Sequence, residues 1–254
     1  MLKHRIIPVL LNSKVGIVKT RNFVRPIYVG DPINTAKIFN DKQVDELLVY
    51  DIDRSKLNLG PNFELIQQIV AQCFMPVSYG GGIRSLMDAK EVFNLGVEKV
   101  VLQKVLFSDF NVINEIATTY GSQSVIVSLD VIRGNNNEFY VYDYVHGRKL
   151  DLTLESILIK LNKSLMGELV ITSVDREGTL TGFDLELIQK VKSFIDAPLI
   201  AHGGAGNIQD LAQAINSGAD AVAAGSLFVF YGSPESILLN YPKYEHIEKL
   251  LDVI

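Results

Sequence analysis

Three consecutive glycines, Gly80-Gly81-Gly82, stand in Ser78-Tyr-Gly-Gly-Gly-Ile-Arg-Ser85, directly behind the apolar run Phe74-Met-Pro-Val77. Glycines behind a strand let backbone N–H groups close on an anion, and they equally serve positive φ or close packing. A second cluster, Gly203-Gly204, follows the apolar run Pro198–His202. Helix starts are expected at Gln103-Lys104-Val-Leu and Gly225-Ser226-Leu-Phe. Exposed N–H groups and the positive end of a helix dipole favour anions at such places. The remaining chemistry is sparse. Lys14, Lys19, Arg21 and Arg25 form a basic stretch between the first strand and the first helix. It reads either as a mobile loop closing on a charged substrate or as solvated surface. His202 reads as a titrating or sugar-binding group, or as a hydrogen-bonded structural residue. Cys73 falls inside a helical pattern and reads as a buried, inert thiol. His4, His146 and His246 have no metal-site spacing, so no metal or cofactor is predicted. No Gly-x-Ser-x-Gly or Cys/His arrangement points to acyl-enzyme chemistry.

The elements that must position these residues are short, apolar and β-branched. They are predicted near Arg5–Leu11, Glu46–Asp51, Pro76–Tyr79, Lys99–Gln103, Ser124–Asp130, Glu168–Ser173, Pro198–His202 and Ala221–Gly225. Near-continuous hydrophobicity marks parallel strands buried on both faces. Amphipathic helices are predicted between them, among others at Asp31–Asp45, Phe63–Cys73, Leu86–Leu95 and Ile208–Ser217. Eight alternations of strand and helix predict a (β/α)₈ TIM barrel. An open doubly wound sheet lacks a Gly-x-Gly-x-x-Gly after the first strand. The chain also echoes itself. Glu46-Leu-Leu-Val returns as Glu168-Leu-Val-Ile, Met75-Pro-Val as Ala197-Pro-Leu, and Gly96-Val-Glu as Gly218-Ala-Asp, each with the same offset. These echoes predict two half-barrels, about 1–122 and 123–254, fused into one domain. Both glycine clusters then lie at the carboxyl rim, where two corners across one mouth suit a substrate with a phosphate at each end.

Composition agrees with one large enzyme-sized domain. The chain has 254 residues, 48% of them hydrophobic and 21% charged, enough for a sizeable core and unlike a disordered chain. A net charge of −5 without a Lys/Arg block argues against a nucleic-acid surface. A single cysteine excludes an internal disulfide framework. No apolar run reaches the ~18 residues of a membrane span, and the expected location is the cytoplasm.

Arg5-Ile-Ile-Pro8, Lys19, Gly30-Asp-Pro, Asp45-Glu-Leu, Tyr79-Gly-Gly-Gly-Ile-Arg84, Thr172-Ser-Val-Asp-Arg-Glu-Gly-Thr179 and Gly203-Gly-Ala-Gly-Asn207 carry a family resemblance. Over essentially its whole length the chain resembles the cyclase subunit of imidazole glycerol phosphate synthase, HisF. The resemblance implies a two-protein machine. A HisH-like glutaminase docked at the amino-terminal face releases ammonia, which passes through the barrel to a bisphosphorylated substrate at the rim. The implied ammonia gate falls on Arg5, Glu46, Lys99 and Glu168. Implied substrate-binding positions are Lys19, Asp51, Thr172, Asp175 and Glu177. Implied phosphate-binding positions are Gly81, Gly82, Lys104, Gly178, Gly204, Gly225 and Ser226. Asp130, ending strand five, is the implied proton-transferring carboxylate.

Departures from the family pattern have a direction. The family's other aspartate, expected at the end of strand one, is Leu11 here, which transfers no proton. Neighbouring Asn12 points to the opposite face and its amide has no useful pKa. Gln103-Lys104 replaces an asparagine–threonine pair at the first phosphate corner, and Glu177 stands where the family has aspartate. A branch of the family, similar also in Val18-Lys-Thr20 and Gly30-Asp-Pro-Ile-Asn34, accompanies surface-polysaccharide synthesis. There ammonia converts an acetamido sugar into an acetamidino sugar, chemistry that one carboxylate can serve. The histidine-pathway cyclase-lyase and a non-catalytic scaffold for the glutaminase remain alternatives.

Overall fold

The computed structural model describes residues 4–231, 236–243 and 245–247. The expected domain span of 1–254 therefore includes residues 1–3, 232–235, 244 and 248–254, which lie outside the described residues. Eight parallel strands, β1 (Arg5–Ser13), β2 (Leu47–Asp51), β3 (Val77–Gly80), β4 (Lys99–Leu102), β5 (Val125–Arg133), β6 (Glu168–Ser173), β7 (Leu199–His202) and β8 (Ala221–Ala224), pair in chain order. β8 pairs back onto β1, with Arg5 opposite Ala221, and closes the barrel. The expected (β/α)₈ architecture is present.

Alternation along each strand separates two apolar layers, because successive side chains point to opposite faces. Ile7, Val9, Leu48, Val101, Ile126, Val170, Ile200, Ala221 and Ala223 form the cluster inside the barrel. Ile6, Leu10, Leu47, Val49, Val100, Val127, Leu169 and Leu199 join the outer core beneath the helices. Each fully buried Val, Leu or Ile contributes roughly 1.5–3 kcal/mol, so the two layers supply most of the driving force. The helices present matching stripes: Phe63–Val70 buries Ile66 and Ile69, and Ile208–Asn216 buries Leu211, Ala214 and Ile215 behind an Asn207/Asp210 capping box. The helix expected over Asp31–Asp45 spans only Pro32–Asp41, because the following backbone turns left-handed at Gln43. The one expected over Phe63–Cys73 ends at Val70.

Two β-hairpins correct the expectation of plain loops at the rim. The basic stretch after β1 is a hairpin of Gly16–Arg21 and Val24–Gly30, whose first strand pairs antiparallel with β1. Arg21 faces Val24 across the two-residue turn Asn22-Phe23, and both turn residues have positive φ, the geometry whose twist suits a hairpin. The second hairpin, Phe139–Asp143 with Arg148–Thr153, extends β5 through Val131 opposite Val141. The turn that leads from β5 into it lies in Gly134-Asn-Asn-Asn137, a turn cluster between β-branched and aromatic runs. β5 consequently runs three residues past Asp130.

Candidate active site

The two ends of the barrel carry different chemistry. At the strand starts the four expected gate residues form one closed ion-pair ring. Arg5 Nη1 lies 2.6 Å from Glu46 Oε2 and Arg5 Nη2 lies 3.0 Å from Glu168 Oε2. Lys99 Nζ lies 3.0 Å from both Glu46 Oε2 and Glu168 Oε1. Ser78 Oγ donates to Glu46 Oε1 at 2.6 Å, which satisfies the remaining oxygen of the most buried member. Two cations alternating with two carboxylates make the ring electrically neutral. Each charge has two opposite neighbours, which compensates the burial of the ring.

At the strand ends a cavity of about 260 Å³ opens between the two hairpins. Asp130 projects into it from β5 and is only 6% exposed. Gln103 Nε2 donates to Asp130 Oδ2 at 2.6 Å. Burial raises the Asp130 carboxyl to about 7, against the opposing bonds from Gln103 and Thr172. A carboxyl titrating there both gives and takes protons near neutral pH. Asp51 also lines the cavity, and burial raises it to about 6. Asp51 is held by Asn12 and by Tyr79 Oη at 3.5 Å. Leu11 occupies the wall as expected, and Asn12 turns instead toward Asp51.

Thr172 lines the cavity and its hydroxyl meets His202 Nδ1 at 3.1 Å. Burial, aided by the Lys19 charge, lowers the imidazole to about 3, so His202 is a neutral, hydrogen-bonded wall residue. Sequence reasoning missed the aromatic part of the wall. Tyr142 and Tyr144 come from the second hairpin, and Phe23 from the turn of the first. Phe23 and Tyr142 meet edge-on at 5.8 Å and bridge the hairpins over the mouth. Tyr50 also faces the cavity, its hydroxyl 3.2 Å from Ser128 Oγ.

The two expected anion corners differ. Gly81, Gly82 and Lys104, at the ends of β3 and β4, all line the cavity. Gly82 has φ +74, and a Cβ there would sit 2.6 Å from Leu59 O, so close packing alone already requires glycine. Gly178, Gly204, Gly225 and Ser226 are not among the cavity-lining residues. Gly178, with φ +70, lies under the first hairpin, where a Cβ would strike Thr20 O. Gly204 O accepts from Gly182 N at 2.8 Å. A Cβ on Gly225 would strike the Lys19 ammonium.

The hairpin that covers this second corner is held by side-chain bonds, where either a mobile basic loop or a solvated charged loop was expected. Glu177 Oε2 accepts from Thr20 Oγ1 at 3.1 Å and from Phe23 N at 3.3 Å. Asn22 Nδ2 donates to the carbonyls of Val174 and Asp175, both at 2.9 Å. Lys19 is 2% exposed, with Nζ donating to Val9 O at 2.5 Å; burial lowers it to about 8 although Glu177 opposes the shift. Asp175 is exposed, and its Oδ2 accepts from Arg133 N at 2.8 Å. Lys19, Asp175 and Glu177 thus lie behind or beside the cavity wall, whereas Asp51 and Thr172 face into it.

Among the described residues no cluster of three or more His, Cys, Asp or Glu side chains has metal-binding geometry, and no helix is long and apolar enough to cross a membrane. A closed parallel barrel with a paired-charge ring below and a titrating carboxyl at the rim defines a barrel enzyme of the rim-active class. Residues 5–233 match the model of a family described as histidine biosynthesis protein. A Pseudomonas aeruginosa protein provisionally named imidazole glycerol phosphate synthase subunit hisF2 is 43% identical, covering 98% of this chain and 99% of the relative. A Leptospira interrogans protein with the provisional name imidazole glycerol phosphate synthase subunit HisF is 40% identical, with the same coverage of each chain. Imidazole glycerol phosphate synthase subunit HisF of Dictyoglomus thermophilum is 34% identical, covering 92% and 94%. The chain belongs to the HisF family of histidine-biosynthesis barrels.

Proposed function

We propose that this chain is the ammonia-using cyclase-type subunit of an imidazole glycerol phosphate synthase-like pair, served at its ring end by a HisH-like glutaminase. The observation that carries this reading is the closed Arg5–Glu46–Lys99–Glu168 ring at one end of the barrel whose other end holds Asp130. The 122-residue echoes fit two fused half-barrels in a single domain. The reaction belongs in the cytoplasm and needs no cofactor.

Within this class the substrate read from the site is an acetamido sugar destined for a lipopolysaccharide or related surface glycan. Three features support it. Leu11 removes one of the family's two carboxylates; Lys19 and the hairpin fill the second anion corner; and Phe23, Tyr142 and Tyr144 wall the cavity with aromatic surface suited to a sugar face. Ammonia adds to the amide carbonyl carbon while Asp130 carries one proton from the attacking nitrogen to the carbonyl oxygen, giving a tetrahedral adduct with a hydroxyl. Asp130 then carries a second proton from the same nitrogen to that hydroxyl, the C–O bond breaks, water leaves and the acetamidino group remains. Asp51 and Thr172 bind hydroxyls, and Lys104 with Gly81 and Gly82 holds an anionic end. Lys19, Asp175 and Glu177 shape the wall, as do Gly178, Gly204, Gly225 and Ser226.

The retained Lys19 and second glycine cluster favour the histidine-pathway cyclase-lyase as the second reading. Supplying ammonium at high pH with either the bisphosphorylated ribulosyl carboxamide or nucleotide-linked acetamido sugars separates the two. The expected product is the amidine, detected as a mass decrease of about 1 Da; efficient turnover of the bisphosphate would establish the second reading instead. A non-catalytic scaffold predicts that Asp130→Asn leaves product formation by the complex unchanged.

A further inference from the structure

We infer that Phe74 is the aromatic anchor by which this barrel holds its glutaminase, an inference that rests on the ammonia-delivery reading above. Phe74 is 99% exposed, more than any other large apolar side chain among the described residues. It stands at the strand-start end, in the connection between helix Phe63–Val70 and β3. Its backbone is fixed although its ring is bare. Phe74 N donates to Asn40 Oδ1 at 2.7 Å, Cys73 N to Val70 O at 3.0 Å, and Leu47 N to Pro76 O at 2.9 Å. Leu47 directly follows the ring residue Glu46. The connection is thus bonded to the segment that carries one carboxylate of the ring.

A second apolar point lies at the same end of the barrel, three strands away. Leu165 is 50% exposed, its N–H is held by Asn114 Oδ1 at 2.9 Å, and it sits just before β6, whose first residue is Glu168. Phe74 leads into β3 and Leu165 into β6, three strands apart in the eight-strand order. Phe74 and Leu165 therefore flank the ion-pair ring from two sides, and one partner covering both spans the inlet and keeps water from it. Ammonia delivery requires such a seal, which is why the occupant is the glutaminase. An aromatic ring on a fixed backbone loses little conformational freedom on docking, the property of a hot-spot residue.

The test is calorimetric titration of the full chain with the HisH-type glutaminase of the same organism. Phe74→Asp is expected to weaken Kd about 30-fold or more, and Phe74→Leu to keep most of the affinity. Thermal unfolding of both variants stays at the unaltered midpoint, since the side chain touches nothing in the free barrel. Unchanged affinity in Phe74→Asp overturns the anchor and leaves the delivery reading standing. Failure of the unaltered chain to bind the glutaminase overturns both.

Discussion

The two glycine corners of the mouth carry nearly the same local sequence plan, yet the fold treats them in opposite ways. Each has glycines after one strand and a helical turn after the next. In the first, Gly81, Gly82 and Lys104 open onto the cavity that holds Asp130. In the second, Gly178 and Gly225 make room for a hairpin and for the Lys19 ammonium. Glycine's lack of a side chain serves both outcomes, so the motif predicts close approach without saying what approaches. The occupant is set by a distant segment, residues 16–30, held through Glu177 and Asn22. The mouth is thereby left with one open glycine corner beside an aromatic wall.

The largest expected effect tests the open side. Asp130→Asn should lower ammonia-dependent turnover by about 10²–10⁴-fold, measured as kcat with saturating ammonium. In the unaltered protein the rate should rise as the basic form appears through pH 7, and the variant should lose that inflection. Stability should move the other way. A carboxyl raised from 3.8 to about 7 by burial binds its proton more tightly folded than unfolded. Its contribution is therefore present in acid and declines between about pH 4 and pH 7, a slope that urea titrations should find removed in Asp130→Asn.

Breaking the latch tests the covered side. Glu177→Ala leaves Thr20 Oγ1 and Phe23 N without their buried acceptor, at an expected cost of about 1–3 kcal/mol in denaturant unfolding. Limited proteolysis should then cut within residues 16–30, and the same segment should resist cleavage in the unaltered protein. The smallest effect separates the corners directly. Lys104→Ala should weaken inorganic phosphate binding about tenfold, while Ser226→Ala should leave it within about twofold. The reverse order would show that the second corner, despite its covering, is the anion site.

Much of this architecture was legible in the chain because it rests on local rules. Continuous β-branched runs separated by amphipathic segments specify strands buried on both faces, and eight of them close. The ring was legible through the family resemblance, and the fold explains its closure: Arg5, Glu46, Lys99 and Glu168 stand at or beside strand starts, so closing the barrel gathers them at one end. The turn from β5 into the second hairpin was readable in Gly134–Asn137, yet the direction of Tyr142 and Tyr144 over the mouth depends on how β5 curves beyond Asp130. The sequence by itself determined the barrel, through its buried strand runs, and by its family resemblance pointed to the charged base and to Asp130 on strand five. Only the tertiary structure decided which corner stays open, that Lys19 is buried and that Phe74 is bare. Exposure and occupancy depend on segments far apart in the chain, which no local pattern records.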